Sequence, residues 1–503
     1  MLFNSLEFLW FLIIVILVVF IMSKFRLAPK YVLFFLLGAS YYFYYVSSGT
    51  YILVFFVYCA LNFYLGRVLY SSKNYAKKSF LFLFLFFNIG LLVFFKYINV
   101  VVFLINWVQA LFSFNSKLPL LNFVLPLGIS FYTFEAISYG VDIYTGRIKP
   151  EQSFVKFLFF MAFFPKFIAG PIMRAKEFFP QLLRDTFFDF SSFKFSATLI
   201  LFGLFKKIVI ADNIALFVTA MLDGSFLVSS SFGIWVVMFA FAIQIYCDFS
   251  GYSDIAIGVA KFFGIDLVQN FNRPFFSKNP AEFWRRWNIS LSFWIRDYIY
   301  YPLYFFLSGT KLAMLVGSVE RRTKIIVYFA NFVAMFFMGI WHGPSINYVI
   351  YGAYYGILLV AYHLIADVRK KLAFRAKFPF PKIAEILSIC LTLYFIVLGF
   401  LIFRVNDLLK LKHLLGKYLS FDLRSLFCDL AMMQNIISEQ FGVVVAIFIF
   451  VAFEISDYFF KEDLKKFCSS LGLFKWCVLV FVLILLMFVF LPSKSAVFIY
   501  FQF

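Results

Sequence analysis

The sequence predicts an all-α polytopic membrane protein, in which re-entrant and amphipathic interfacial helices accompany the transmembrane helices. Hydrophobic residues make up 64% of the 503 residues and charged residues 14%, whereas soluble domains are about 45–50% apolar and about 25% charged. The apolar runs are continuous and do not alternate, which favours helices over a β-barrel. At roughly 20 residues per span, about eleven transmembrane helices fit the chain. No internal repeat or linker is visible, so residues 1–503 are predicted to form a single integral-membrane domain.

The chain carries 45 basic and 25 acidic residues, which gives a formal net charge of +20. Lysine and arginine collect in short loops between apolar runs, as the positive-inside rule describes. The sequence therefore predicts contact with membrane lipids and no binding of nucleic acid. The six cysteines are scattered without a C-x-x-C spacing, so we predict neither a disulfide framework nor a metal site.

The first apolar run, Phe8–Met22, is followed by the basic residues Lys24, Arg26 and Lys30. A cleaved signal peptide carries its basic residues before the apolar core. The reversed order predicts an uncleaved helix that ends in the cytoplasm. The runs that follow it and alternate in direction are Tyr31–Val46, Tyr51–Leu65 and Phe80–Phe95.

Three later stretches do not fit simple spanning helices, because they place charges or helix breakers in apolar surroundings. They are Phe163–Arg174, Gly203–Asn213 with Lys206 and Lys207, and Gln244–Asp254 with two aspartates. The first stretch holds two prolines and a glycine, and irregular backbone at membrane depth is tolerated only where protein or water covers it. We expect a re-entrant segment there, while interfacial loops are the alternative for all three stretches.

The stretch Ala281–Ile299 has two stripes at helical spacing. The apolar stripe consists of Trp284, Trp287, Leu291, Trp294 and Tyr298, and the polar stripe of Arg285, Asn288, Ser292 and Arg296. This pattern predicts one amphipathic helix at the membrane interface, where aromatic rings are half wet and arginine can extend to water. Its polar stripe either lines a water-filled pocket or belongs to a plain interfacial anchor.

His342 is one of three histidines in the chain and lies between the apolar runs Ile325–Met338 and Ile346–Tyr362. An ionisable group at membrane depth is costly and indicates a functional site by default. Histidine is also the side chain best suited to pass a proton near neutral pH. We expect Gly339 and Gly343 to leave room for another group to approach. The alternative is a histidine bonded to a carbonyl of a neighbouring helix.

Several short motifs occur in order along the chain. They are Leu125–Phe134, Ala169–Pro171, Phe205–Lys207, Asp248–Asp254, Phe283–Trp287, Ser290–Ser292, Arg296–Tyr298 and Trp341–Gly343. Together they resemble the membrane-bound O-acyltransferase family, and within it the bacterial branch of alginate and peptidoglycan O-acetyltransferase membrane subunits. The resemblance covers about the middle half of the chain, and it implies an enzyme whose helices surround a central acyl-transfer tunnel.

Two positions depart from the pattern of that family, which often has histidines where this chain has Asn288 and Tyr355. Neither side chain supplies an imidazole, although both can hydrogen-bond. The departures leave His342 as the candidate base.

The resemblance implies transfer of an acyl group from a thioester to a hydroxyl, with acetyl-CoA as the donor substrate and no permanently bound cofactor. A hydroxyl is a poor nucleophile until a base removes its proton, and His342 is the predicted catalytic base. The donor phosphates would suit a basic cytoplasmic rim, for which the candidates are Arg285, Arg286, Lys206 and Lys207. Positive-inside anchoring explains these four residues equally well.

The C-terminal aromatic tail motif, Phe498–Phe503, resembles the tail of the small partner subunit in teichoic-acid D-alanylation. By that resemblance, Tyr500 is predicted to be acylated at His342 and to present the acetyl group outside. A lysine-rich loop precedes the last apolar run, Trp476–Leu491, which indicates that this helix runs outward from the cytoplasm. The alternative is that the tail only anchors the chain at the interface.

The resemblance thus implies O-acetylation of an extracytoplasmic glycan, with peptidoglycan favoured over exopolysaccharide, by a multi-pass protein of the bacterial inner membrane. A periplasmic acetyltransferase partner is expected to complete the transfer. Two other classes stay open from the residues alone. One is a transporter or channel with His342 in a proton path, and the other is a non-catalytic scaffold for a periplasmic partner.

Overall fold

The structure is a computed structural model that describes most of the chain. The described residues are 1, 3–112, 117–121, 125–167, 170–183, 192–223, 230–310, 318–371, 380–420, 441–460, 464–492, 496, 498 and 499. Within these ranges the chain forms helices and no strand, which confirms the all-α class. They form two compact units, Met1–Ala197 with Ile255–Val268 and Thr198–Asp254 with Gln269–Phe503. A single acyltransferase domain over the whole chain stays a prediction.

The first unit begins with long apolar helices and continues with short ones. They are α1 (Leu6–Lys24), α2 (Pro29–Ser48), α3 (Tyr51–Ser71), α4 (Asn74–Leu111), α5 (Ile129–Tyr144), α6 (Phe154–Ala162), α7 (Phe164–Phe167) and α8 (Ala175–Phe178). The start of α1 shows how local sequence sets a helix boundary. The Ser5 hydroxyl accepts the Phe8 N–H at 3.2 Å, while Glu7 and Lys24 complement the helix dipole at its two ends.

The predicted re-entrant segment, Phe163–Arg174, lies in the first unit. Apart from the short α7, its described backbone is irregular, and it is buried. Lys166 forms a buried ion pair with Glu135, and the same carboxylate accepts the Met173 N–H at 3.2 Å. The irregular backbone is therefore covered by protein, as the sequence predicts.

The second unit holds most of the remaining helices. They are α9 (Phe193–Phe205), α10 (Asp212–Asp223), α11 (Ser231–Phe262), α12 (Pro280–Arg286), α13 (Ile289–Ile295), α14 (Tyr301–Ser308), α15 (Val319–His342), α16 (Ile346–Lys371), α17 (Pro381–Arg404), α18 (Leu408–Leu419), α19 (Phe441–Phe460), α20 (Leu464–Ser470) and α21 (Leu473–Val489). Two π-helical turns, Lys206–Ala211 and Arg296–Tyr300, connect α9 to α10 and α13 to α14. The numbering follows the chain, although α9 and α11 each contribute residues to both units.

Seven helices in the described ranges are long and apolar enough to cross a membrane, namely α1, α3, α4, α11, α15, α16 and α17. Two shorter apolar helices coincide with α19 and α21. Helix α2 is not among the seven, because five tyrosines lower the hydropathy of its 20 residues. The polytopic class is confirmed, and the number of about eleven spans, at roughly 20 residues each, stays a prediction.

The prediction of one continuous helix over Ala281–Ile299 is wrong. Helix α12 ends at Arg286, and Asn288 then adopts a left-handed backbone with φ 42° before α13 begins. A left-handed residue cannot continue a right-handed helix. The apolar stripe is nevertheless buried at Trp284, Trp287, Leu291 and Trp294, so the periodicity predicted the buried face correctly.

The stretch Gln244–Asp254 is not an interfacial loop. It lies inside α11, a continuous helix of 32 residues. Its two carboxylates, Asp248 and Asp254, are both buried. They do not break the helix because each one pairs with lysine ammonium groups from other segments.

Candidate functional site

His342 is the last residue of α15, and its side chain is buried, with 5% of its surface exposed. Four aromatic rings surround the imidazole at centroid distances of 4.8 to 6.1 Å, and they belong to Trp341, Tyr348, Tyr351 and Phe403. We call these four residues the aromatic wall. Packing against these rings restricts the orientation of the imidazole and limits the access of water to it.

Glycines bring α15 and α16 close together behind this site. A Cβ atom on Gly339 would lie 2.4 Å from the Cα of Gly352, so neither helix tolerates a side chain at this contact. A Cβ on Gly343 would lie 2.7 Å from the ring of Tyr348. The expectation that Gly339 and Gly343 leave room for another group is therefore wrong, because the space is filled by a helix backbone and by the aromatic wall.

The two positions that depart from the family pattern support the site without an imidazole. The Tyr355 hydroxyl donates to the carbonyl oxygen of Ile396 at 2.7 Å. Its ring lies 4.8 Å from that of Tyr351 and 4.9 Å from that of Trp284. Asn288 is buried at the break between α12 and α13. The Tyr355 ring thus packs against the aromatic wall at Tyr351. The left-handed backbone of Asn288 changes the chain direction before α13 begins.

A cavity of about 360 Å³ lies in the second unit beside α15 and α16. Its wall includes Trp284, Arg285, Arg296, Met338 and His363. Met338 precedes His342 by one helical turn, or about 6 Å along the helix axis. The cavity therefore begins within one turn of the candidate base and carries cationic side chains.

The two arginines predicted to bind the donor differ in their contacts. Arg285 is exposed and lines the cavity, whereas Arg286 pairs with Glu282 at 2.6 Å. A third guanidinium, that of Arg296, also lines the cavity and pairs with Asp297 at 2.7 Å. This hydrogen bond raises the pKa of Arg296 above its ordinary value. The cavity wall thus bears two guanidinium groups, of which that of Arg296 is already paired with a carboxylate.

Lys206 and Lys207 lie in the first π-helical turn, and both are buried. Lys206 pairs with Asp254 at 2.9 Å. Lys207 pairs with Asp212 at 2.8 Å and with Asp248 at 2.7 Å. Their role in binding donor phosphates stays a prediction, and their charges are already engaged with carboxylates. Together with Lys465, which pairs with Asp254 at 2.6 Å, we call these residues the buried charge cluster.

A second pair of glycines assembles the buried charge cluster. A Cβ atom on Gly251 of α11 would lie 2.7 Å from the carbonyl oxygen of Gly203 in α9. The two backbones therefore touch one turn away from the lysines. This close approach brings Lys206 and Lys207 against the carboxylates of α11.

Sequence reasoning missed one side chain of the cavity, His363, which lines it from α16. The polar stripe was predicted either to line a pocket or to belong to an interfacial anchor, and its residues Arg285, Ser292 and Arg296 line this cavity. The available signal for His363 was an imidazole within a long apolar run, the same signal that singles out His342.

The predicted acyl carrier, Tyr500, lies outside the described residues. Phe498 and Ile499 immediately before it are described, and both are buried. These two residues therefore pack inside the second unit and do not form a plain interfacial anchor.

The amino-acid sequence is similar to a family model and to several known proteins. The model of the membrane-bound O-acyltransferase family matches residues 148–403. A probable alginate O-acetylase of Pseudomonas aeruginosa is 31% identical over 86% of this chain and 77% of its own length. A peptidoglycan O-acetyltransferase of Helicobacter pylori is 31% identical over 77% of this chain and 74% of its own length. A teichoic acid D-alanyltransferase of Bacillus subtilis is 31% identical over 56% of this chain and 69% of its own length. Alignments with four further probable alginate O-acetylases cover between 56% and 63% of those proteins.

Proposed function

Because this chain belongs to the membrane-bound O-acyltransferase family and is an O-acyltransferase, we propose that it carries acetyl groups from cytoplasmic acetyl-CoA to an extracytoplasmic glycan of a bacterium. One observation carries the proposal. A buried imidazole, His342, lies within one helical turn of a cavity whose wall bears two guanidinium groups. A base next to a cationic cavity suits a reaction between a hydroxyl and a thioester whose leaving portion bears phosphates.

The proposed chemistry has two transfers. In the first, His342 accepts the proton of the Tyr500 hydroxyl while the phenolic oxygen attacks the thioester carbonyl. The carbon–sulfur bond breaks, the coenzyme A thiolate takes up the proton from the imidazolium, and an acetyl-tyrosine ester forms. In the second, a glycan hydroxyl attacks this ester, and Tyr500 regains its proton. A periplasmic acetyltransferase partner carries out the second transfer.

Arg285 is the proposed contact for the donor phosphates. Phosphate recognition favours guanidinium groups, which bind oxyanions through a planar fork of donors. Arg285 is exposed at the cavity, and Arg286 is already bound to Glu282. This difference makes Arg285 the stronger of the two candidates.

Replacing Arg285 with glutamine should raise the KM for acetyl-CoA by about tenfold and leave kcat nearly unchanged, because one charge-assisted contact to the donor is lost. Steady-state kinetics of the purified protein in detergent measure both constants. The matched control is Arg286→Gln, for which we expect a smaller rise in KM because Glu282 holds this guanidinium. Equal KM values for the wild type and Arg285→Gln would remove Arg285 from the donor site.

Tyr500 should gain one acetyl group when the purified protein is incubated with isotopically labelled acetyl-CoA. Mass spectrometry of the tail peptide detects the ester, which hydroxylamine should remove. Tyr500→Phe lacks the nucleophilic oxygen, so we expect an unlabelled tail and loss of glycan acetylation in cells. A Tyr500→Phe variant that retains full transfer to the glycan excludes the acyl-tyrosine route.

Peptidoglycan is the proposed acceptor in preference to exopolysaccharide. The named relatives include enzymes for both kinds of polymer at the same identity of 31%. The acetyl content of purified wall glycan and of secreted polysaccharide, compared between a deletion strain and its parent, decides between them.

A further inference from the structure

The segment before Tyr500 is attached to the buried charge cluster through its backbone. The Ile499 N–H donates to the Asp248 carboxylate at 2.8 Å, and the Lys207 ammonium donates to the carbonyl oxygen of Ala496 at 3.0 Å. The backbone of Ala496 also hydrogen-bonds to Asp212. All three anchoring side chains are buried.

The side chain of Phe498 has its own place beside these bonds. Its ring lies 4.0 Å from the ring of Tyr252 and 6.2 Å from that of Phe249, and no part of its surface is exposed. Tyr252 and Phe249 belong to α11, the helix that also carries Asp248. The segment is thus recognised through two backbone positions and one aromatic side chain.

The charges explain why the backbone is held there. Lys207 faces the two carboxylates Asp212 and Asp248, which leaves one negative charge in excess at this end of the cluster. A buried carboxylate needs hydrogen-bond donors as well as a counter-charge. The backbone groups of Ala496 and Ile499 supply those contacts.

A further hydrogen bond holds the residue that follows α21. Asn213 follows Asp212 and donates through its Nδ2 to the carbonyl oxygen of Phe490 at 2.9 Å. Phe490 is the residue directly after α21. Contacts at Phe490, Ala496 and Ile499 therefore all involve side chains of α11 or of the segment 207–213.

We propose that Lys207, Asp212, Asp248 and Tyr252 form a peptide-binding socket that docks the backbone of Ala496 and Ile499 and the ring of Phe498, and thereby sets the position of Tyr500. The role for Tyr500 rests on the proposed function, whereas the docking does not. The four residues are positioning residues. Their ligand is a peptide segment with an aromatic side chain, bound mainly through its backbone.

Replacing Ile499 with proline tests the socket from the side of the segment, so the helical body is left unchanged. Proline has no N–H and cannot donate to Asp248. Hydrogen exchange of the Ala496 amide, followed by mass spectrometry in detergent, should become about tenfold faster or more, since a charge-assisted hydrogen bond is lost. Ile499→Val keeps the N–H and should stay within about twofold of the wild type.

Asp248→Ala removes the acceptor of the same bond from the side of the socket and should also release the Ala496 amide. If Ile499→Pro exchanges at the rate of Ile499→Val, the socket is overturned. Tyr500 should be acetylated in Ile499→Val and not in Ile499→Pro. A released segment with a fully acetylated Tyr500 would overturn the positioning role and leave the proposed function standing. Slow exchange at Ala496 in the wild type and in Ile499→Val, fast exchange in Ile499→Pro and no acetylation of Tyr500 in any of the three would overturn the proposed function and leave the docking standing.

Discussion

His342→Ala should lower acetyl transfer from acetyl-CoA by about 100-fold to 10,000-fold, the range by which positioned general bases accelerate proton transfers. The loss should appear in kcat, because the imidazole acts on the nucleophile and does not line the donor cavity. Release of coenzyme A by the purified protein, together with the mass of the tail peptide, measures the reaction.

The other two histidines provide matched controls for this substitution. His413 is exposed on α18, so His413→Ala should leave the rate within about twofold of the wild type, as for surface substitutions away from a site. His363 lines the cavity, and His363→Ala should change the KM for the donor more than kcat. If His342→Ala transfers acetyl groups as fast as His413→Ala, the imidazole at the end of α15 is not the base.

Lys207→Met should lower the free energy of unfolding by about 3–5 kcal/mol, the range measured when one partner of a buried ion pair is removed. The variant leaves Asp212 and Asp248 buried without their shared ammonium group. Denaturant unfolding of the purified protein, followed by tryptophan fluorescence, measures the change.

The control for this prediction is Lys278→Met, whose lysine pairs with Glu385 at 2.8 Å and is half exposed. We expect a small fraction of the Lys207 effect, because exposed ion pairs contribute little. The double variant Lys207→Met with Asp248→Asn should regain part of the lost stability, since one unpaired carboxylate is gone. Equal effects of Lys207→Met and Lys278→Met would contradict the account of the buried charge cluster.

Hydropathy predicted the helical class because it is a local property of each run. It also predicted the buried stripe of Trp284, Trp287, Leu291 and Trp294. The break at Asn288 escaped prediction, since a single left-handed residue leaves the spacing of the stripes almost intact. Periodicity reports which side chains face the core, and it says little about where one helix stops.

The buried charge cluster shows which part of a site a sequence conceals. Lys207 and Asp248 were both recognised as charges in apolar surroundings, yet they are separated by 41 positions along the chain. The close contact of Gly203 with Gly251 lies beside them and allows the two backbones to approach. The requirement that buried charges be paired was the available signal. The docked backbone of Ile499 had no such signal, because any residue other than proline presents the same N–H.

The sequence singled out His342 as a candidate base, which stays a prediction, and the surroundings of its side chain were only partly predictable. The motif around Trp341 indicated a functional imidazole, and Phe403 contacts it from a helix far along the chain. Gly339 and Gly343 beside it allowed two interpretations. The space left by a missing side chain can be filled by a substrate or by a neighbouring helix.

The π-helical turn Lys206–Ala211 gives this part of the chain a place where a change of length can be absorbed. Such a turn contains more residues than the α-helical turn it replaces. Deleting a single residue from it would leave an ordinary α-helical turn, and the helix that follows would keep its direction. Asp212 and Asn213 would then keep the positions from which they contact the lysine and the end of α21. A shortening of the chain by one residue is therefore better tolerated in this turn than loss of the Lys207 charge.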